Sequence, residues 1–341
     1  MQQVQVKDAV GMVLCHDIVK IVPGEFKGRA FKKGYIIQEN DIPELLKIGK
    51  EKIYVWESRE GYLHENEAAQ RIAHAVKKRG LNLTEPKEGK VNLIAAYDGL
   101  LKINVGHLSR LNSIDQVVVA TMHGNRVVQK GMVVAGTRVI PLIVEEKKIK
   151  KVEAICSGAG GIVEVIPIRQ VKAGLIVTGN EVYRGRIEDK FAPVLKEKLA
   201  HYGSEVLNQV MVPDDTAAIA NAVKDMEALG AELILVSGGM SVDPDDVTPA
   251  GVQAAGGEIV LYGAPVLPGS MFMLAYLNGT PVLGLPGCVM FNKTTIFDLV
   301  LPRLLAGENI TRRDITAMGY GGLCANCSVC SYPHCPFGKG I

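Results

Sequence analysis

The chain has 341 residues, of which 48% are hydrophobic and 5% aromatic, a composition typical of a globular protein with a substantial core. Its 38 lysines and arginines nearly balance its 36 aspartates and glutamates, so the net charge of +2 argues against nucleic acid or a membrane surface as a partner. No apolar run in the sequence approaches the roughly 20 residues that cross a bilayer.

Residues 1–60 have the pattern of a small β-rich module, in which short apolar stretches alternate with glycine and proline. Strands are predicted at 10–14, 17–22 and 53–56, with a turn at Pro23-Gly24. Asp41 and Gly49 bound a short predicted helix over 41–48. Because the sequence does not begin with a basic segment followed by an apolar one, we expect no signal peptide and a cytoplasmic location.

Residues 61–171 add one helix and then return to strand-like runs. Apolar residues recur at helical spacing from Leu63 to Val76, and the pattern ends at Gly80. A polar segment that contains Pro86 follows, so residues 61–90 are predicted to form a helix and a linker. The runs over 91–171 predict a second β-rich region.

From Gly174 the pattern changes to strands that alternate with helices. Strands are predicted at 175–178, 204–212, 232–236, 259–261 and 281–285, and helices at 191–201, 217–229 and 292–305. Such alternation is typical of a mostly parallel sheet covered by helices. We therefore predict a three-layer αβα domain over 172–308, in the α/β class, followed by a cysteine-rich tail over 309–341.

One stretch of this region, residues 233–249, has the pattern of a ligand site. The apolar run Leu233–Val236 predicts a buried strand, and Ser237-Gly238-Gly239 predicts a sharp turn after it. A polar loop with several aspartates leads to Thr248, the predicted cap of a helix that begins at Pro249. Open α/β sheets build their ligand sites in this way, at the carboxyl ends of strands.

Residues 172–306 resemble the molybdopterin-binding domain shared by molybdopterin adenylyltransferase, the molybdate-inserting molybdotransferase and the competence-damage protein. The matching segments are Thr178-Gly-Asn-Glu181, Gly185-Arg-Ile-Glu-Asp189, Val212-Pro-Asp-Asp215, Ser237-Gly-Gly239, Asp245-Asp-Val-Thr-Pro249 and Leu285-Pro-Gly287. They occur in the order of the family. The sequence departs from the family at Asn180, which replaces an aspartate, at Cys288, which replaces an asparagine, and at Leu267-Pro-Gly-Ser-Met271, which lacks a lysine.

The resemblance implies that molybdopterin, or a nucleotide, binds in these loops. Glycine turns at strand ends expose N–H groups that can hold its phosphate, and nearby hydroxyls add donors. The implied binding residues are Thr178, Gly179, Glu181, Asp189, Ser237, Gly238, Gly239, Ser241, Thr248, Pro268, Gly269, Pro286 and Gly287. The alternative is that these glycines only make tight turns.

Adenylyl transfer from ATP needs Mg²⁺, which carboxylates hold. By resemblance, Asp246 and Asp214 are the catalytic candidates. Each lies just before a predicted helix, so the alternative for both is helix capping.

The tail contains Cys324-x2-Cys327-x2-Cys330-x4-Cys335-Pro336. Thiolates at this spacing can hold an iron–sulfur cluster or a Zn²⁺ ion, and His334 could replace one of them. The run is similar to the ferredoxin pattern but has one more residue in its last gap. The alternative is a flexible tail of free thiols.

The sequence thus predicts a molybdopterin-binding protein of molybdenum cofactor biosynthesis or delivery, which adenylylates molybdopterin or inserts molybdate and serves a molybdoenzyme. One alternative is a non-enzymatic carrier or sensor that uses the tail for metal or partner binding. Another is a nucleotide-pyrophosphate hydrolase, which rests only on Asp245-Asp246-Val-Thr. The resemblance also implies a homo-oligomer, and the small net charge predicts no nucleic acid or membrane partner.

Overall fold

The computed structural model describes residues 2–22, 26–55, 60–140, 142–241, 243 and 246–340. The predicted turn at Pro23-Gly24, together with Trp56, Pro141 and Asp245, lies outside these ranges. The strands are β1 Gln2–Gln5, β2 Ile18–Val22, β3 Phe26–Phe31, β4 Lys52–Val55, β5 Tyr62–His64, β6 Leu81–Leu83, β7 Lys90–Ala95, β8 Gly99–Ile103, β9 Val117–Thr121, β10 Arg126–Val128, β11 Val133–Val139, β12 Ile143–Glu145, β13 Val163–Pro167, β14 Lys172–Thr178, β15 Glu205–Val212, β16 Leu233–Ser237, β17 Glu258–Tyr262, β18 Met273–Leu277 and β19 Thr280–Leu285.

The helices lie between these strands and after the last of them. They are α1 Ile42–Lys47, α2 Glu65–Val76, α3 Val105–Asn112, α4 Glu146–Ser157, α5 Asn180–Tyr183, α6 Phe191–Ala200, α7 Thr216–Ala228, α8 Thr248–Ala254, α9 Cys288–Phe291, α10 Ile296–Leu305 and α11 Arg312–Thr316. None of the helices in the described ranges is both long and apolar enough to cross a membrane.

The chain divides into two compact units. The first comprises Met1–Ala95, Asn104–Met122 and Gly131–Glu164, and the second comprises Ala96–Ile103, His123–Lys130 and Val165–Ile341.

The first unit begins with a small β-rich core. Strands β1 and β4 pair antiparallel, as do β2 and β3, and helix α1 lies where the sequence predicted a short helix. The predicted strand over 10–14 is wrong, because this segment forms only isolated bridges at Val13 and Leu14. The side chains that pack in this core are Val6, Ala9, Leu14, Ile18, Phe31, Ile37, Leu45, Ile53 and Val55.

The first unit also contains a four-stranded antiparallel sheet covered by a helix. The strand order is β6-β7-β11-β9, and helix α2 packs on β7 and β11. The predicted helix is present as α2, whose buried face is formed by Ala68, Ala69, Ile72, Ala73 and Val76, but Leu63 of the predicted pattern lies in strand β5. Small side chains on that face let the helix approach the sheet closely, and the Thr137 hydroxyl donates a hydrogen bond to the Ala69 carbonyl at 3.2 Å.

The second unit is built on a six-stranded mixed sheet with the order β15-β14-β16-β19-β18-β17. Strands β15, β14, β16 and β19 run parallel to one another, and β18 pairs antiparallel with both β19 and β17. The predicted mostly parallel α/β sheet is therefore confirmed, with an antiparallel extension at one side.

Successive side chains of the central strands enter two different cores. Leu233 and Leu235 of β16 pack with α6 and α10, whereas Ile234 and Val236 pack with α7 and α8. Because successive side chains of a strand point to opposite faces, helices cover both faces of the sheet. This is the three-layer αβα arrangement predicted from the sequence.

Candidate functional site

The strand ends of the six-stranded sheet bring the predicted site segments to one edge. Thr178 at the end of β14 pairs with Val212 at the end of β15, and Ser237 at the end of β16 pairs with Leu285 at the end of β19. Strand β18 runs the other way, so its first residue, Met273, lies at the same edge. The loops that contain the predicted binding and catalytic residues all leave or enter the sheet at this edge, as parallel α/β sheets require.

The Gly238-Gly239 turn leaves no room for side chains. Both glycines have positive φ, at +93° and +57°. A Cβ at Gly238 would overlap the carbonyl oxygen of Thr178, and a Cβ at Gly239 would lie 2.6 Å from Thr248 Oγ1. Internal packing is therefore sufficient to explain why both positions are glycine.

The buried hydroxyls at this edge hold the turn together. Thr178 Oγ1 donates to the Ser237 carbonyl at 3.3 Å, and Thr248 Oγ1 donates to the Gly238 carbonyl at 2.9 Å. The prediction that Thr248 caps helix α8 is wrong: Val247 occupies the cap position and Thr248 is the first helical residue. Its hydroxyl is used by the glycine turn instead.

Asp246 closes the acidic loop on itself. Its Oδ2 accepts a hydrogen bond from the Asp243 N–H at 3.0 Å, and its own N–H donates to the Asp243 carbonyl at 3.0 Å. The carboxylate is half-buried, and two oxygens can accept more bonds than this one. Asp246 can therefore shape the loop and still offer an oxygen to a cation.

Tyr262, at the end of β17, is a site residue that the sequence did not reveal. Its hydroxyl lies 3.2 Å from the Met240 carbonyl and 3.1 Å from the Ser241 carbonyl, so it ties the loop after Gly239 to the sheet edge. Burial raises the pKa of Tyr262, and the negative charge of Asp246 raises it further. The only feature of the sequence that could have indicated Tyr262 is its position directly after a predicted strand.

Asp214 and Asp215 have different roles. Asp215 caps helix α7, with its Oδ1 accepting from the Ala218 N–H at 2.8 Å. Asp214 Oδ2 instead accepts from the Asn180 N–H at 2.8 Å, which joins the loop after β15 to the loop after β14. The capping alternative therefore applies to Asp215 and not to Asp214.

Glu181 and Asp189, the two acidic binding candidates after β14, differ in exposure. Asp189 Oδ1 accepts from the Phe191 and Ala192 N–H groups, at 2.8 and 3.2 Å, and so starts helix α6. Its Oδ2 accepts from Gln209 Nε2 at 3.2 Å. Glu181 is exposed at the start of α5. Asp189 thus has structural partners for both oxygens.

The two Pro-Gly loops also differ. A Cβ at Gly269, where φ is +124°, would lie 2.5 Å from Ile296 Cγ2, so packing requires glycine there. Pro268 precedes Gly269, and the peptide bond between Leu267 and Pro268 is cis. Gly287, which follows the buried Pro286, is exposed, and a Cβ there would have no neighbour within 4 Å. Gly287 is therefore the candidate glycine beside which a ligand would find open space.

The cysteine tail folds onto the α/β domain. The Leu267 N–H donates to the Gly322 carbonyl at 2.8 Å, and the Cys324 N–H donates to the Leu267 carbonyl at 2.8 Å. Phe337 is buried in the core on one face of the sheet, and the Tyr332 hydroxyl donates to the Asp298 carbonyl at 3.0 Å. The tail is therefore an ordered part of the second unit.

All four tail cysteines line one cavity of about 300 Å³. They are free thiols, and Cys330 Sγ lies 3.5 Å from Thr294 Oγ1. His334 does not line the cavity; its Nδ1 lies 3.0 Å from an Arg126 guanidinium nitrogen. Within the described ranges, no three His, Cys, Asp or Glu side chains form a group that could hold a single metal ion.

Comparison with known families matches two separate parts of the chain. Residues 174–306 match a family described as a probable molybdopterin binding domain. Residues 3–57 match a domain of unknown function, DUF8806. The first match confirms the resemblance predicted from the motifs at the strand ends.

The curated relatives include molybdopterin molybdenumtransferase from Synechococcus elongatus, which is 27% identical over 182 residues, or 50% of this chain and 45% of the relative. A CinA-like protein from Mycobacterium sp. is 36% identical over 91 residues, or 26% of this chain and 22% of the relative. The chain thus spans less than half the length of these relatives. Among solved structures, the molybdopterin biosynthesis enzyme MoaB from Thermus thermophilus is 22% identical to this chain, with a TM-score of 0.33. The matched region covers 41% of this chain and 98% of the MoaB chain.

Proposed function

We propose, from the match of residues 174–306 to a molybdopterin-binding domain, that this chain binds molybdopterin and acts in molybdenum cofactor biosynthesis. The observation that supports this most strongly is that the loops carrying the matching motifs meet at one edge of a parallel sheet. Ligands of open α/β folds bind at this edge.

Gly287 and the Gly238-Gly239 turn have different parts in the proposed site. The open space beside Gly287 lets a phosphate approach the backbone. The Gly238-Gly239 turn is fixed by its own packing, so it acts as a rigid support for the loop that carries Ser241 and Asp246. Exposed Ser241 would donate its hydroxyl to the ligand.

Asp246 and Asp214 are the proposed ligands of the Mg²⁺ that accompanies ATP. Magnesium in phosphoryl-transfer sites is commonly held by one or two carboxylates, the substrate phosphates and water. A pair of aspartates therefore fits such a site without a third acidic side chain. In the proposed reaction, a phosphate oxygen of molybdopterin attacks the α-phosphorus of ATP and pyrophosphate leaves.

Molybdate insertion is the second activity proposed for this site. It is favoured by the similarity of this chain to molybdopterin molybdenumtransferase from Synechococcus elongatus. The same similarity favours an enzyme of cofactor assembly over a non-catalytic carrier or sensor. The two activities differ in their substrates, because insertion starts from molybdopterin that is already adenylylated and consumes molybdate. A molybdoenzyme client remains part of the proposal.

The test is a turnover assay of the wild-type protein and two aspartate variants. The substrates are molybdopterin with ATP and Mg²⁺ in one assay, and adenylylated molybdopterin with molybdate in the other. Asp246→Asn keeps an oxygen for the Asp243 N–H but loses the charge, so we expect activity to fall about 100-fold. Asp243→Asn is the matched control, because Asp243 contributes backbone groups to the same turn and its side chain is exposed.

Each result has a distinct meaning. Product formed by the wild type and by Asp243→Asn, but not by Asp246→Asn, supports the proposal and identifies the reaction. Equal activity of both variants would contradict the role of Asp246. Absence of molybdopterin binding by the wild type would contradict the proposed function itself.

A metal centre at the tail cysteines is the second part of the proposal. Four free thiols that line one cavity are a donor set suited to a soft metal or an iron–sulfur cluster. The centre would be separate from the Mg²⁺ of the sheet edge.

A further inference from the structure

We infer that the cavity lined by Cys324, Cys327, Cys330 and Cys335 binds a four-iron, four-sulfide cluster. This inference rests on the metal centre proposed above and specifies its occupant. The alternative occupant is a single Zn²⁺ ion.

A cluster and a single zinc ion differ in how far apart they hold their thiolates. Zinc binds thiolate sulfur at about 2.3 Å in a tetrahedron, which places the four sulfurs only about 3.8 Å apart. A cluster inserts its own iron and sulfide between the cysteines, so its thiolates stand further apart around a shared space.

The cavity has room for such a group. Structural zinc sites are closed around the ion and need no cavity. Here the four cysteines are among the residues that line a cavity of about 300 Å³, which is the lower end of the size of small-molecule and cofactor sites. The Cys-x2-Cys-x2-Cys spacing of Cys324, Cys327 and Cys330 is typical of iron–sulfur ligation. Cys335 follows after a longer gap than in the ferredoxin pattern, and it is the proposed fourth ligand because it lines the same cavity.

The other walls of the cavity suit an anionic cluster. Phe291, Leu323 and Phe337 supply apolar surface, and Lys293 supplies a positive charge. The Thr294 hydroxyl lies within hydrogen-bond distance of Cys330 Sγ, and such bonds to ligating sulfur tune iron–sulfur centres. Burial of Phe337 and the two backbone hydrogen bonds to Leu267 hold both ends of the cysteine segment in place.

Assembly of the cluster in vitro requires four thiols, four irons, four sulfides and two electrons. Four thiols lose their protons and become iron ligands, and no protein disulfide forms or breaks. Four ferric ions combine with four sulfide ions. Two of the ferric ions are reduced to ferrous ions by two electrons from dithiothreitol, which becomes its cyclic disulfide.

The experiment is anaerobic reconstitution of the full chain with ferric iron, sulfide and dithiothreitol, followed by desalting. We expect about four irons and about four sulfides per chain, a broad visible absorption band, and a paramagnetic signal after reduction by dithionite. Cys327→Ser and Cys335→Ser should lose most of the iron and sulfide. Cys288→Ser is the matched control and should retain both, because Cys288 does not line the cavity.

Zinc loading separates the inference from the proposal on which it rests. One zinc per chain, lost in Cys327→Ser, together with no retained iron and sulfide, would overturn the cluster and leave the metal centre standing. Failure to retain either zinc or iron would overturn both. Thermal unfolding of each variant without metal shows whether loss of metal reflects loss of the fold.

Discussion

Gly238 and Gly287 both lie in candidate loops, but a methyl group added to each would meet different surroundings. At Gly238 it would overlap the Thr178 carbonyl in a backbone with φ of +93°. At Gly287 it would meet no protein atom within 4 Å, and φ is an ordinary −53°. Packing therefore explains the glycine at position 238, and Gly287 is the position where we propose that a ligand requires glycine.

Gly238→Ala should lower the free energy of unfolding by about 3 kcal/mol, because overpacking adds to the cost of the left-handed conformation. Gly287→Ala should change it by less than about 0.5 kcal/mol, yet should weaken molybdopterin binding. Urea unfolding and ligand titration of the two variants check this. Equal loss of stability in both variants would contradict the assignment of Gly287 to the ligand.

Tyr262→Phe tests the residue that ties the acidic loop to the sheet edge. Loss of the hydroxyl that reaches the Met240 and Ser241 carbonyls should cost about 1 kcal/mol and loosen the loop. We expect faster amide exchange at Asp243 and Asp246 and a lower kcat/KM. Unchanged exchange at both amides would show that Tyr262 does not hold the loop.

At the scale of elements, a capping box starts helix α11 beside a buried cation. Asp314 accepts from the Thr311 N–H at 2.9 Å and from Arg303 at 2.9 Å, and Arg303 is almost fully buried. Burial raises the pKa of Asp314, but the Thr311 hydrogen bonds and the Arg303 charge outweigh it and lower the pKa from 3.8 to about 2. The charged carboxylate therefore stabilises the fold.

The pH dependence follows from the lowered pKa. Stability from Asp314 is fully present above the ordinary pKa of 3.8 and is lost as pH falls towards about 2. Because the side chain is partly exposed, we expect Asp314→Asn to cost only about 1 kcal/mol at neutral pH. Urea unfolding of wild type and variant should converge as pH falls through this window. A difference that persists unchanged at low pH would contradict the argument.

The positions of strands were predictable where a short apolar run was compatible with a buried strand and too short for a helix. Leu233–Val236 and Leu175–Thr178 are too short and too apolar for anything but central strands, and both lie in the sheet. Because parallel strands share an edge, the meeting of the site loops followed from the strand order. The strand predicted over 10–14 is absent because the backbone groups of this segment bond to loops; the Leu14 N–H, for example, donates to the Tyr35 carbonyl.

Side-chain partners were less predictable than elements. That Asp215 and not Asp214 caps α7 depends on the Asn180 N–H, which comes from a different strand end. The hydroxyl of Thr248 was assigned to a cap by local pattern, but the Gly238 carbonyl lies close enough to take it. Both results depend on contacts between distant parts of the chain, which local patterns do not contain.

At the scale of the whole molecule, the family resemblance predicts a homo-oligomer. Light scattering should give two or three times the 36.7 kDa of the single chain. The measurement should be made with and without reconstituted metal, because the tail is part of the second unit. A mass of 36.7 kDa at micromolar concentration would contradict this prediction.

The cysteine tail and the Pro268-Gly269 loop share the two backbone hydrogen bonds of Leu267. Anything that orders the tail therefore also favours one conformation of a loop at the edge where molybdopterin is proposed to bind. Two ligands that both favour the same conformation of this shared segment would have a coupling free energy, and coupling is reciprocal. If metal loading tightens molybdopterin binding by some factor, molybdopterin must tighten metal binding by the same factor. The metal content of the tail and the occupancy of the molybdopterin site would then depend on each other through Leu267.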